Sequence, residues 1–209
     1  QHLAAMLDSL AHEPRLNVHY IFLLVGEGVV LQIEPDRPAG RVVGAGFASY
    51  LVVAQALASG QSGISDALPP EPSTLSAVEG PPKVMLVVAL RDADGRLIGA
   101  LGEVVDLTNA GLLDYLSRTI TGQTGHAHIV DSAGLVLAGT DAGEIGKANV
   151  HPDMYIPLIR EGRAGVGTTP EVADGVFEEM HVMAFVPLTA ARWGVGLGQS
   201  EAETFATLW

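Results

Sequence analysis

The residues of this chain that could do chemistry are a set of histidines and a few carboxylates and hydroxyls. His126 and His128 stand two apart in a segment that reads as a strand, so their imidazoles share one face. With a third donor such as His151 or His181, that pair has the makings of a zinc or copper site. Structural or surface histidine is the commoner use of the residue, and no metal or cofactor is expected. Asp106 ends an expected strand and precedes an expected helix. Its carboxylate suits either an N-cap or hydrogen bonds from a ligand amine or hydroxyl. Tyr50 lies on an apolar helix and either offers its hydroxyl to a ligand or packs in the core. Tyr20 begins a strand, where it lines a pocket floor or packs on the sheet. Asp131 is expected to bond to its own turn, and Trp193 to pack in a core. Asp174, Glu178 and Glu179 read as a solvated acidic edge.

Catalytic and nucleotide signatures are missing. The stretch GRAGVGTT, residues 162–169, has spaced glycines but lacks the Gly-Lys-Ser/Thr ending of a phosphate loop. No Gly-x-Ser-x-Gly elbow occurs, and no Ser-His-Asp arrangement has local support, so a hydrolase is not expected and the chain is read as non-enzymatic.

The elements that must hold these residues repeat. Residues 83–106, KVMLVVALRDADGRLIGALGEVVD, give a strand, a polar turn and a glycine-containing strand that runs into a helix start. Residues 180–203, MHVMAFVPLTAARWGVGLGQSEAE, do the same. Each follows a hairpin-like segment, YIFLLVGEGVVLQI before the first and HAHIVDSAGLVLAG before the second. Between hairpin and strand pair the first half has an apolar helix over 47–59, stopped by Gly60, and then a brief strand over 63–67. The second half has a short helix over 152–161, with strands over 175–186 and 193–199. Residues 1–11 carry Leu3, Leu7 and Leu10 at helical spacing, and Leu112, Leu116 and Ile120 do so over 108–121. The proline-rich stretch 68–82 is a surface loop. Ser200 and Glu203 have the spacing of a capping box.

Composition narrows the class. The 209 residues are 48% hydrophobic and 17% charged, which suits a globular protein of one large or two small domains. A net charge of −13 argues against nucleic acid and against docking on an anionic leaflet. The absence of cysteine excludes a disulfide scaffold or thiolate metal site and leaves the compartment open. The longest apolar runs fall far short of the ~20 residues that cross a bilayer. The chain begins at Gln1 rather than Met and ends at Trp209 in a helix-like stretch, so it is expected to be part of a longer, membrane-anchored protein.

Four segments carry a resemblance to a known family: RDADGRLIGALGEVVDL, FASYLVVAQALASGQSGISD, GQTGHAHIVDSAGLVLAG and VPLTAARWGVGLGQSEAETF. In their order and spacing they resemble the double Cache sensor domain, a tandem PAS-like module found outside the membrane in bacterial chemoreceptors, histidine kinases and diguanylate cyclases. The resemblance implies an α+β fold in which an N-terminal helix precedes two tandem PAS-like modules, each with a central antiparallel sheet. The expected division is helix 1–17, membrane-distal module 18–107, connector helix 108–122, membrane-proximal module 123–200 and an exit helix from 201 to 209.

The resemblance also implies a job. Such domains bind a small molecule in the distal module, between sheet and covering helix, and pass the change to their terminal helices without catalysis. Carried onto this sequence, the ligand-facing residues are Tyr20, Tyr50, Ser65, Asp66 and Asp106. Ser65 and Asp66 equally suit turn chemistry before Pro69 and Pro70. Amino-acid-binding members carry an Arg in the covering segment. Here the matching stretch is Ser49-Tyr50-Leu51-Val52-Val53-Ala54, so a carboxylate held by a guanidinium fork is not expected; the closing Asp of those members has its counterpart in Asp106, which leaves an amine-bearing or hydroxylated ligand open. The implied partner is a second copy of the chain, paired through the Leu3/Leu7/Leu10 helix, and the implied location is extracytoplasmic. A structural or protein-interaction domain with vestigial pockets is the alternative, since a filled pocket would look the same in sequence.

Overall fold

A computed structural model of the chain describes residues 7–8, 17–35, 42–69, 80–108, 110–120, 122–149, 151–173 and 176–206. The chain divides into two compact units, Gln1–Asp106 and Leu107–Trp209. The expected N-terminal helix lies almost wholly outside the described residues; Leu7 and Asp8 are helical, and Leu7 is buried.

The first unit contains β1 (Asn17–Val25), β2 (Val29–Glu34), α1 (Leu51–Ser59), β3 (Gly63–Ile64), β4 (Lys83–Arg91) and β5 (Leu97–Asp106). Its five strands lie in the order β2-β1-β5-β4-β3, every neighbour antiparallel. The second unit contains α2 (Ala110–Thr119), β6 (His126–Val130), β7 (Val136–Gly139), α3 (Pro152–Glu161), β8 (Gly165–Ala173), β9 (Val176–Pro187), β10 (Gly194–Ser200) and α4 (Glu201–Phe205). Its order is β7-β6-β10-β9-β8, again antiparallel throughout. Relabelled from its first strand, this is the order of the first unit. Two antiparallel sheets of one topology, built twice in tandem, make an α+β fold.

The pleat explains the shared layout. In β1, Tyr20, Phe22 and Leu24 alternate onto one face, where Met85 and Val87 of β4 and Ala100 and Val104 of β5 join them. Val52, Val53 and Ala56 of α1 cover that face, and Phe47 meets Phe22 edge-to-face at 5.1 Å. Burying a side chain such as Phe22 contributes about 1.5–3 kcal/mol. In the second unit, Val130, Met183 and Phe185 face Tyr155 and Ile159 of α3. Both covering helices stop at a glycine in the left-handed region, Gly60 at φ 67° and Gly162 at φ 62°. Helix α2 packs on β6 and β7 of its own unit.

Three local expectations change. Residues 165–173, to which the sequence reading assigns no helix or strand, form β8 and pair along β9. The capping box is half made: Ser200 Oγ accepts from Glu203 N at 3.2 Å, but the Glu203 carboxylate turns to the backbone N–H groups of Gln123 (2.7 Å) and Thr124 (2.8 Å). The bond from the Thr124 hydroxyl, and after it those two backbone bonds, hold the Glu203 pKa down at about 2. The helix expected over 47–59 starts later, at Leu51, because residues 47–50 form a turn with Tyr50 N bonded to Phe47 O at 3.0 Å.

Close approach makes glycine necessary in β5. A Cβ at Gly102 would sit 2.1 Å from the ring of Phe22, which is fully buried and cannot retreat. Gly102→Ala is therefore expected to destabilise the first unit by about 1–3 kcal/mol, and Phe22→Leu in the same chain to recover part of that loss. Amide hydrogen exchange of β1, β4 and β5 reads it; unchanged protection, or equal loss in the second unit, would contradict this packing.

Candidate functional site

The first unit gathers four polar side chains at one end of its helix-covered face. The register sets Asp106, the last residue of β5, opposite both Asn17 of β1 and Lys83 of β4. Residues paired across strands share a face, so the carboxylate, the amide and the ammonium stem come to one place. A bulge between Val18 and Tyr20 adds His19 to the group. Asn17 Nδ2 donates to Asp106 Oδ1 at 2.9 Å, and His19 Nε2 meets Oδ2 at 2.8 Å. Asp106 and Lys83 are both buried, 6% and 4% exposed. Burial pulls the Lys83 pKa below its ordinary value, and the Asp106 charge opposes that fall. Lys83 Nζ also donates to Pro81 O at 2.9 Å.

The residues expected from sequence distribute around this cluster. Asp106 lies at its centre. Tyr20 is a buried member of the adjoining core, paired with Val104. Tyr50 takes the N-cap position of α1 without a side-chain cap bond, half-buried, its ring edge-to-face with Phe47 at 5.4 Å. Ser65 Oγ accepts from Met85 N at 2.9 Å and donates to Asp66 O at 2.6 Å, so this hydroxyl extends the pairing of β3 with β4. Asp66 follows it, half-buried. Sequence reasoning missed Asn17, His19 and Lys83. The one signal for Lys83 was a lysine opening an otherwise apolar strand.

The second unit places histidines at the matching register. Ser200 ends β10 as Asp106 ends β5, and pairs with His181 where Asp106 pairs with Lys83. His128 faces Gly196 as Phe22 faces Gly102, and His126 faces Gly198 as Tyr20 faces Val104. His151 is the N-cap of α3 as Tyr50 is of α1. The rings of His126 and His128 lie 5.9 Å apart and those of His126 and His181 5.2 Å apart. Asn149 Oδ1 accepts from His151 N at 2.8 Å, which leaves Asn149 Nδ2 to donate to His128 Nε2 at 3.1 Å. The His128 proton is thereby fixed on Nδ1, a buried nitrogen with no hydrogen-bond partner. Burial, then the nearby His126 and His151, push the His128 pKa down to about 3. Among the described residues, no three of His, Cys, Asp or Glu are placed to hold a metal ion. Asp131 behaves as the sequence indicates, Oδ1 accepting from Ala133 N and Leu135 N, both at 2.9 Å. Trp193 is buried, 5% exposed.

No family model matches the chain, and no curated protein matches it in sequence. Solved structures do match in fold. An extracellular ligand binding receptor from Desulfohalobium retbaense superposes with a TM-score of 0.65 at 16% identity over 96% of this chain, which spans only 33% of that protein. The ligand-binding domain of the Pseudomonas fluorescens chemoreceptor CtaA, in complex with L-isoleucine, gives 0.61 at 20% identity over 98% of this chain and 77% of that one. The periplasmic sensory domain of the Campylobacter jejuni chemoreceptor Tlp1 gives 0.57 at 14% identity, covering 97% and 79%. Extracellular domains ascribed to histidine kinases are also neighbours. The neighbours thus include an extracellular receptor, extracellular domains and a periplasmic sensory domain, and no described helix of this chain is long and apolar enough to cross a membrane. The chain has the fold of a double Cache sensor domain, two sheets in tandem.

Proposed function

We propose that the chain is the extracytoplasmic ligand-binding domain of a membrane-anchored bacterial signalling receptor, and that it binds a small metabolite in its first, membrane-distal module. The observation that carries this reading is the polar cluster at the end of the helix-covered face, in which buried Lys83 and Asp106 meet the half-buried His19 and the exposed Asn17. Burying a carboxylate and an ammonium is costly, and a site for a polar guest is a reason to keep them there. Neighbours of this fold hold L-isoleucine, L-Arg and GABA, each with an amine and a carboxylate. In this chain Asp106 is the acceptor for an amine or hydroxyl. Lys83, on β4, offers the cation that the covering segment lacks. Tyr50 and Tyr20 border the guest, with Ser65 and Asp66 beside the edge strand.

The chain itself performs no catalysis in this reading. The ligand favours one arrangement of the module, and its differential affinity shifts the terminal helices. Pairing with a second copy through the N-terminal helix carries that shift to the membrane. One observation favours the alternative of an interaction domain with a vestigial pocket: both Asp106 oxygens already meet partners from the chain itself.

A thermal-shift screen of amino acids, organic acids, sugars and polyamines separates the two readings. A ligand at about 100 times its dissociation constant adds about 2.7 kcal/mol of stability. Asp106→Asn and Tyr50→Ala are expected to weaken that response at least tenfold in affinity. Silence across all four classes would favour the interaction domain. The buried charges also make a prediction of their own. Asp106→Ala is expected to cost about 0.5–1.5 kcal/mol, because it removes the acceptor of the Asn17 and His19 bonds, whose donors water can still reach. Adding Lys83→Met should cost less than the sum of the single changes, and strict additivity in that cycle would show that the two charges do not interact.

A further inference from the structure

The histidines of the second unit form a cluster that the first unit lacks. Four imidazoles occupy the helix-covered face or its border, and each stands where the first unit carries a residue of another type. His126 stands for Tyr20, His128 for Phe22, His151 for Tyr50 and His181 for Lys83. His128, His151 and His181 are 2%, 4% and 6% exposed. Glycine makes room for them: a Cβ at Gly196 would meet His128 Nε2 at 2.6 Å, and one at Gly198 would meet His126 Nε2 at 2.2 Å. Space in the middle of the sheet has thus been given to imidazoles, side chains able to carry a proton.

The charged groups described around the cluster lie at its edge or on the surface. From β9, Glu179 meets His181 Nε2 at 3.3 Å, at the edge of the cluster. From α3, the Tyr155 phenol ring stacks edge-on against His128 at 5.3 Å, and Asp153 in the first turn is exposed. From β8, Thr169 Oγ1 meets His151 Nδ1 at 3.0 Å, and Glu171 follows two residues on. The loop before α3 brings Asn149, with Asp141, Glu144 and Lys147 outside the buried region. Strands β7 and β10 carry no charged residue. Asp114 and Arg118 of α2 pair with each other at 2.8 Å on the surface, and Glu203 of α4 is held by Gln123 and Thr124. A groove of about 750 Å3 between α3 and β8 has His151 in its wall, which gives water a route to the border of the cluster.

We propose that the second unit is a proton-binding element: acidification shifts the unit toward an arrangement in which water and a proton reach His128. The domain would then read two inputs, a metabolite in one module and pH in the other. The direction follows from linkage. His128 in the closed unit is held neutral, its pKa lowered to about 3 by burial first and by His126 and His151 next. In an opened unit the same imidazole returns to about 6.5. Below that value the opened state binds the extra proton, so stability of the closed state is lost as pH falls. From these two values the ratio of opened to closed unit rises about 25-fold between pH 7 and pH 5.

The test is native-state amide exchange on the 209-residue chain at pH 7 and pH 5, corrected for intrinsic exchange, with and without His128→Phe. Phe is the residue of the first unit at this register, so the variant keeps the size of the ring and removes the titration. A rise of about 25-fold in opening of β6, β9 and β10, absent in the variant, is the expected result. No rise in the parent chain, or the same rise in the variant, overturns the proposal. A histidine-selective NMR titration of the parent chain keeps the test independent of whether the variant folds. His128 is expected to remain the neutral Nδ1–H tautomer in the closed unit at pH 5. Ordinary titration near pH 6.5 without change in the surrounding amides overturns the proposal as well.

Discussion

Each unit depends on one insertion: its last strand enters the middle of the sheet. β5 lies between β1 and β4, and β10 between β6 and β9. Until it enters, the two halves of each sheet have no shared hydrogen-bond ladder and no common face for the covering helix. Such non-local pairing costs loop-closure entropy before it returns any contact. The same pairing makes the site. Asp106 reaches Asn17 and His19 across 89 and 87 residues of chain because β5 ends there and nowhere else. The candidate function of the first unit is therefore a consequence of strand order.

Two copies of one architecture have diverged at the positions that face the covering helix. The first copy keeps Phe22 against Gly102 and places a charged pair, Lys83 and Asp106, at the end of the face. The second keeps the glycine and replaces the aromatic ring by an imidazole, and replaces the charged pair by His181 and Ser200. Backbone demands are met alike in both, down to the glycine that stops each covering helix. What differs is the chemistry offered to a guest. A carboxylate and an ammonium suit a small polar metabolite; four imidazoles suit the proton.

Much of the fold was legible in the sequence because the pleat and the turns leave local marks. Alternation through Tyr20, Phe22 and Leu24, and Asp-and-glycine turns such as 131–134, announce hairpins without reference to anything distant. Strand β8 was not legible. Its sequence, GVGTTPEVA, is rich in Gly and Thr and carries Pro170, which only an edge strand tolerates. Its existence is decided by the neighbouring β9. The site was half legible for a similar reason. Asp106 stands out at a strand end, whereas Asn17, His19 and Lys83 become partners only through register. The histidine spacing hinted at a metal. The folded arrangement instead ties His128 to Asn149 and His151 to Thr169.

The central claim is that the buried polar end of the first sheet exists to hold a small guest. The most direct measurement is a crystal structure of the chain purified without added ligand, joined to mass spectrometry of what it releases on denaturation. The account predicts a discrete molecule bounded by Tyr50, Lys83 and Asp106, with the same mass recovered in solution. A structure in which those side chains close on one another, leaving no volume between the sheet and α1 and releasing nothing, would contradict it.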